Sequence, residues 1–110
     1  MLTPKEHAQL KKHVSDSNRR LVEIFDTLGD TNRCNLFRVI VERPGINVSE
    51  AANVLGLSVP LVSQHLKILE QNNLLLKTKS GKEVHYKLND KDPIVLAIVS
   101  VISKGNNLKV

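Results

Sequence analysis

Residues 49–70, Ser-Glu-Ala-Ala-Asn-Val-Leu-Gly-Leu-Ser-Val-Pro-Leu-Val-Ser-Gln-His-Leu-Lys-Ile-Leu-Glu, constrain the fold more than any other stretch. They read as two short helices joined at a glycine. Ser49 can cap the first helix, which then places Ala51, Ala52 and Leu55 on one side. Gly56 supplies the left-handed backbone that ends it. Ser58 can cap the second helix, and Pro60 is tolerated in its first turn, where no amide partner is lost. Small alanines let the second helix cross the first closely, as a helix-turn-helix requires. The alternative on this stretch alone is an ordinary helical hairpin without a ligand.

The chain has 110 residues, enough for one domain that buries about two-thirds of its unfolded surface. Aromatics are confined to Phe25, Phe37 and Tyr86, so the core must be built from Leu, Ile and Val. So small an aliphatic core invites completion by a second subunit. The net charge of +5 favours a polyanionic partner. Residues 57–88 concentrate it: Lys67, Lys77, Lys79, Lys82 and Lys87 stand against Glu70 and Glu83, a local balance of +3. The start lacks an apolar leader, and the longest apolar run, Ile94 to Val99, is six residues against the ~20 that span a bilayer. The expectation is a cytoplasmic protein with no membrane contact. A single cysteine, Cys34, leaves no intrachain disulfide and no Cys-pair metal site within one subunit.

Leu10, Val14, Leu21, Ile24, Phe25 and Leu28 recur at steps of three and four, predicting an amphipathic helix of about five turns that ends near Gly29. Asp30 or Thr31 can cap a second helix with Cys34, Phe37 and Val39–Val41 on its stripe, ended by Pro44-Gly45. Ile46-Asn47-Val48 is a short extended link that could form one strand of a small sheet. After the helix pair, Leu74–Lys79, Ser80-Gly81 and Lys82–Leu88 predict a β-hairpin with Val84, Tyr86 and Leu88 on one face and a basic tip. Asp92-Pro93 opens a last helix, stopped at Gly105. That helix is apolar on nearly every side, so one side must meet something beyond its own core. No repeat, low-complexity tract or linker interrupts the order.

Helix, helix, helix-turn-helix, basic hairpin and terminal helix is the order of a winged helix, a mainly α fold with a small β-hairpin. The motifs are narrower. Leu28-Gly29-Asp30-Thr31-Asn32-Arg33 with Leu36-Phe37 resembles the "LGDPTR…IL" signature of the ArsR/SmtB family of bacterial repressors. Leu57-Ser58…Val62-Ser63-Gln64-His65-Leu66-Lys67…Leu69 resembles that family's recognition helix. Asn73-Leu74-Leu75 stands where the family has Gly-Leu-Val, and Gly81 with Val84–Leu88 resembles its wing. The resemblance covers about residues 20–104. It implies a homodimeric repressor of a short operon, clasped through helices at about 5–28 and 93–104. The helix-turn-helix would occupy 49–72 and the wing 74–88, all within one domain.

With Val62, Leu66 and Leu69 as the buried stripe, about 100° per residue turns Pro60, Ser63, Gln64, Lys67 and Gln71 the other way. Gln64 can pair bidentately with an adenine edge, and Ser63 can bond a base or a phosphate. Ser58, Val59 and Pro60 lie at the start of the helix, the last two apolar enough to meet a thymine methyl. Lys67 suits a phosphate. Lys79 and Lys82 flank the Ser80-Gly81 turn and would touch backbone phosphate. The double-stranded DNA site would be an inverted repeat. His65 falls beside the buried stripe and reads as a packing residue. The competing reading of this face is a solvated surface, or a winged helix turned into a protein-interaction module. The absence of Asp or Glu before Glu70 favours DNA.

The family's metal positions are not matched. Aligned through Tyr86-Lys87-Leu88, the terminal-helix zinc positions hold Asp90, Asp92, Ser103 and Asn106, and serine and asparagine are poor ligands. Residues 49–56 contain no cysteine. Cys34 reads as a core thiol, and His7 and His13, six apart, lie on different helix faces. The expectation is therefore no metal, no cofactor and no enzyme active site, with the inducer, if there is one, open.

Overall fold

The computed structural model describes residues 1–107, with the side chains of all of these except Ser17 and residues 104–107. Five helices and one hairpin follow in the order α1 (Pro4–Leu28), α2 (Thr31–Glu42), α3 (Val48–Leu55), α4 (Val59–Gln71), β1 (Leu75–Ser80), β2 (Glu83–Leu88) and α5 (Pro93–Asn107). This is a winged helix-turn-helix, mainly α with a two-stranded antiparallel wing.

α1 runs 25 residues, about seven turns rather than five. The added length comes from a capping box. Thr3 Oγ1 accepts the Glu6 amide at 3.1 Å, and Glu6 Oε1 accepts the Thr3 amide at 3.0 Å, with Pro4 in the first turn. Its apolar stripe divides. Ile24 is fully buried and Leu21 and Leu28 are half-buried, whereas Leu10, Val14 and Phe25 stay exposed.

α2 starts where Asp30, not Thr31, caps it, its carboxylate accepting the Arg33 amide at 3.0 Å. The Arg33 guanidinium reaches back to the Thr27 carbonyl at 2.8 Å and ties the α1–α2 corner. Leu36, Phe37 and Ile40 form the buried centre of the molecule with Val62, Leu66 and Leu69 of α4 and Val95 of α5. Cys34 is half-buried.

α3 begins one residue before Ser49. Asn47 caps it by accepting the Glu50 amide at 2.8 Å, and Ser49 falls inside the first turn, exposed. Asn47 meets the geometric demand because its extended backbone aims a carboxamide oxygen at the third amide on. Val48 is thereby drawn into the helix, and the strand considered at 46–48 is not among the described elements. Gly56 takes φ +66°, and the Leu57 amide returns to the Ala52 carbonyl at 3.0 Å.

The exit from α4 uses a second left-handed residue. Asn73 has φ +60°, which asparagine tolerates better than most side chains, and the Leu74 amide bonds the Leu69 carbonyl at 3.0 Å. Position 73 thus holds in asparagine a backbone conformation that glycine adopts most readily.

The hairpin pairs Ser80 with Glu83, so its two-residue turn is Gly81-Lys82 and not Ser80-Gly81. Gly81 has φ +64° and Lys82 does not share the positive φ, the pattern of a turn with glycine first. Lys82 accordingly sits in the turn rather than beside it.

α5 is capped by Asp92, whose Oδ1 accepts the Ile94 amide at 2.9 Å. It continues through Gly105 to Asn107. Gly105 is therefore an interior residue of the helix and not its stop. Val95 is fully buried, Ile94, Ile98 and Ile102 are half-buried, and Leu96 and Val101 are exposed.

One arginine joins three of these elements. Arg20 of α1 donates to Asp92 Oδ2 from Nε and Nη2 at 3.2 and 2.9 Å, to the Asn72 carbonyl at 2.6 Å and to the Asn73 carbonyl at 3.2 Å. It satisfies carbonyls freed at the end of α4 while binding the cap of α5. This guanidinium holds the Asp92 carboxyl below the usual carboxylate range, with the Ile94 amide adding to the effect. A depressed carboxyl contributes stability above its unfolded value near 3.9 and loses it as pH falls through the folded value. The Asp92→Asn variant should therefore be less stable by about 1–2 kcal/mol in urea melts at pH 7. The gap should narrow as the pH drops below about 4. A gap that does not change with pH would contradict this role for the charge.

Candidate nucleic-acid interface

α4 is held by one side and open on the other. Val62 and Leu69 are fully buried, Leu66 is 4% exposed and His65 is 7% exposed. These positions, three or four apart, seat the helix on α2, α3 and β1. Ser63, Gln64 and Lys67 are exposed, as are Ser58, Val59 and Pro60 at the helix start and Gln71 at its end. No carboxylate occurs on the exposed positions of α4, because Glu70, its one acid, is half-buried. The structure thus gathers six of the eight proposed contact residues on one short surface.

Ser58 has a structural task as well. Its Oγ accepts the Leu61 amide at 3.3 Å, so this oxygen fixes the start of α4 while its O–H can still donate outward. The remaining two contact residues, Lys79 and Lys82, are exposed on the wing. Lys82 occupies the turn and Lys79 lies on β1 opposite Val84. The tip is less uniformly basic than the lysines alone imply, since Glu83 follows Lys82 and pairs with His85 at 3.1 Å.

His65 points into the molecule and is out of reach of a base edge. Its Nδ1 is buried without a hydrogen-bond partner among the described residues. The nearby Asp30 carboxyl is held below its ordinary value, chiefly by the hydrogen bond from the Arg33 amide, with a smaller contribution from the Arg33 guanidinium. The imidazole therefore belongs to the α2–α4 contact, as its place beside the stripe implies.

Of the positions compared with the family's terminal-helix zinc site, Asp92 is otherwise employed. Asp92 commits one carboxylate oxygen to the Ile94 amide and the other to Arg20. Asp90 and Ser103 are exposed, and the Asn106 side chain lies outside the described residues. His7 and His13 are exposed on α1. Among the described residues no three His, Cys, Asp or Glu side chains gather as metal ligands do, and none of the helices is long and apolar enough to cross a membrane.

Comparison with known proteins finds relatives of this chain and structures that share its fold. Residues 28–78 match the model of a helix-turn-helix domain. The arsenical resistance operon repressor of Escherichia coli is 33% identical over 72 residues, which are 66% of this chain and 62% of that protein. The chain is similar to repressors of the ArsR/SmtB type. It spans about three-fifths of the length of that E. coli relative. Two solved structures share the fold. Reduced HlyU from Vibrio cholerae has a TM-score of 0.72 at 20% identity, with 84% of this chain and 95% of that one covered. The homodimeric winged helix-turn-helix DNA-binding domain from Mycobacterium bovis has a TM-score of 0.63 at 13% identity, with 100% and 92% covered.

Arg20 and Asn47 were not legible as functional supports. Arginine between apolar positions of a helix reads as solvated surface, and only the fold brings Asn72 and Asp92 to it. The split between support and contact is measurable. Ser58→Ala should lower stability by about 1 kcal/mol through the lost cap. Gln64→Ala, which removes only exposed atoms, should stay within about 0.5 kcal/mol of the parent. Urea melts with equal losses for both would show that Gln64 supports the fold.

Proposed function

We propose that this chain is a homodimeric transcriptional regulator, a repressor of the ArsR type, that binds an inverted-repeat operator in double-stranded DNA. The observation that carries this reading is the acid-free, exposed face of α4, held outward by its buried stripe. A major-groove helix needs polar and small groups aimed at base edges and no carboxylate facing the phosphates. Gln64 is the residue proposed to read adenine, and Ser63 to bond a base or phosphate. Val59 and Pro60 would give apolar contact, and Ser58 and Lys67 would bond the backbone. Lys79 and Lys82 add phosphate contacts from the wing, which raise affinity for any sequence. The E. coli relative supports the reading, since it is an operon repressor.

The unburied apolar side chains of α1 and α5 support the dimer. Leu10, Val14 and Phe25 on one helix and Leu96 and Val101 on the other are each at least 48% exposed. Large apolar side chains left exposed along two helices are the kind of surface that an interface covers. A second copy laid across the two-fold would cover it and set two α4 helices toward successive major grooves, about 34 Å apart. The M. bovis neighbour is itself a homodimer.

The test is binding to duplex DNA from upstream of its own gene, against random duplex of equal length. Gln64→Ala should reduce the preference for the specific duplex by about 1–3 kcal/mol. Lys82→Ala should weaken both duplexes alike and lower the salt slope by about one. Light scattering on the free protein should return twice its 12.3 kDa chain mass. Equal effects of the two substitutions on both duplexes, or a single-chain mass, would contradict the reading.

A further inference from the structure

The wing meets the helices through β1, which packs on α4, and through the inner residues of β2, which touch α2. Leu75 of β1 is buried against the body, and the described sheet contains β1 and β2 alone. The register determines which backbone groups of β2 are left over. Ser80 and Glu83 flank a two-residue turn and are a hydrogen-bonded pair, so the alternation makes Lys79–Val84 and Lys77–Tyr86 non-hydrogen-bonded pairs. The N–H and C=O groups of Val84 and Tyr86 therefore point away from β1. Also lining that side is Gly45–Val48, which contains the 46–48 link that reads as extended and whose last residue, Val48, opens α3 behind the Asn47 cap.

Between these two backbones the structure leaves a cavity of 280 Å³. Leu36, Ile40, Ala51 and Leu66 form its apolar floor, and Ile46 and Tyr86 its sides. Val84 and the backbone of Glu83 and His85, exposed residues of β2, close its outer side. An apolar cavity of about 150 Å³ accepts a benzene ring, so this one has room for two fused rings. The free edge of β2 offers the amides and carbonyls of Val84 and Tyr86, and a carbonyl there can accept from a donor on the guest. A mostly apolar lining without a lysine or arginine disfavours an anion.

We propose that this cavity is a binding site for a neutral, planar, bicyclic aromatic molecule carrying one N–H or O–H donor, and that its occupancy sets the angle of the wing. The second half rests on the DNA-binding reading above, because the wing carries Lys79 and Lys82. A guest here substitutes for the missing third strand. It fills the gap over Leu36 and Leu66, bonds the free edge of β2 and fixes the hairpin relative to α4. The phosphate contacts at the tip then depend on a small molecule that never touches DNA.

The probe is indole, titrated into the full chain without DNA and followed by amide chemical shifts. Saturable shifts at residues 45–51 and 81–86 are expected. Naphthalene, which lacks the donor, should bind about fivefold more weakly, the worth of one net hydrogen bond. Indole-3-carboxylate should be weaker still. Ile46→Phe, which fills the cavity, should lower indole affinity at least tenfold. If that variant melts early, Val48→Leu narrows the same space with one added methylene and should weaken binding in the same direction. Shifts along the exposed apolar positions of α1 and α5, or unchanged affinity in a folded filled variant, would overturn the site. With duplex DNA present, indole should change DNA affinity at least fivefold in the parent and leave Ile46→Phe unaffected. An unchanged affinity overturns the role of the wing. A chain that binds no DNA even without indole refutes the proposed function, while the titration without DNA still decides the cavity.

Discussion

The burial of one side of α4 is the constraint on which the rest depends. Val62, His65, Leu66 and Leu69 are inserted between α2, α3 and β1, and a helix of 13 residues has no second apolar side to offer. Rolling it by a third of a turn would expose Val62 and Leu69 and drive Gln64 or Lys67 into the centre. Each large aliphatic side chain exposed costs about 1.5–3 kcal/mol, and a buried lysine without a partner costs more. Against a typical total stability of about 5–15 kcal/mol, no such alternative survives. The outward direction of Ser63 and Gln64 is thus a consequence of core packing. Any chemistry on that face was free to be selected without disturbing the fold.

The ends of α4 are set by different means, and these connect the face to the rest of the molecule. At the start, Gly56 turns the chain through a left-handed residue and Ser58 caps the helix. At the other end, Asn73 turns it again, and Arg20 binds the Asn72 and Asn73 carbonyls together with Asp92. The same arginine therefore touches α1, the exit of α4 and the cap of α5. In the proposed dimer, α1 and α5 are the helices that meet the second copy. The spacing of two recognition helices is then relayed through one guanidinium and the buried contacts of Ile24 and Val95.

Much of this was legible because it depends on local chemistry. The stripe of α4 follows from spacing, the left-handed turn at position 56 from glycine, and the hairpin from alternation around Gly81. The differences arose where two local signals competed. Asn47 and Ser49 are both good caps, and the extended approach to residue 47 decided between them. The Ser80-Gly81 pair looks like a turn, but the registry of Leu75 with Leu88 places the turn one residue later, at Gly81-Lys82. Thr3-Pro4-x-Glu6 carried a start signal for α1 that its apolar spacing did not display. Gly105 carried a stop signal, yet α5 runs through it. The Arg20 network and the cavity beneath β2 join residues far apart in sequence, and spacing along one helix is silent about such contacts. The contact residues remain a matter of chemistry rather than of packing. The fold explains why Ser63, Gln64 and Lys67 are exposed, and their side chains explain what they could hold.

Photo-crosslinking measures the central claim most directly. A benzophenone side chain replacing Gln64 should crosslink to duplex DNA in good yield, whereas the same group replacing Asn53, exposed on α3, should crosslink far less. Yield that is equal at both positions, or crosslinks from position 64 into the chain itself, would contradict an outward, DNA-facing α4.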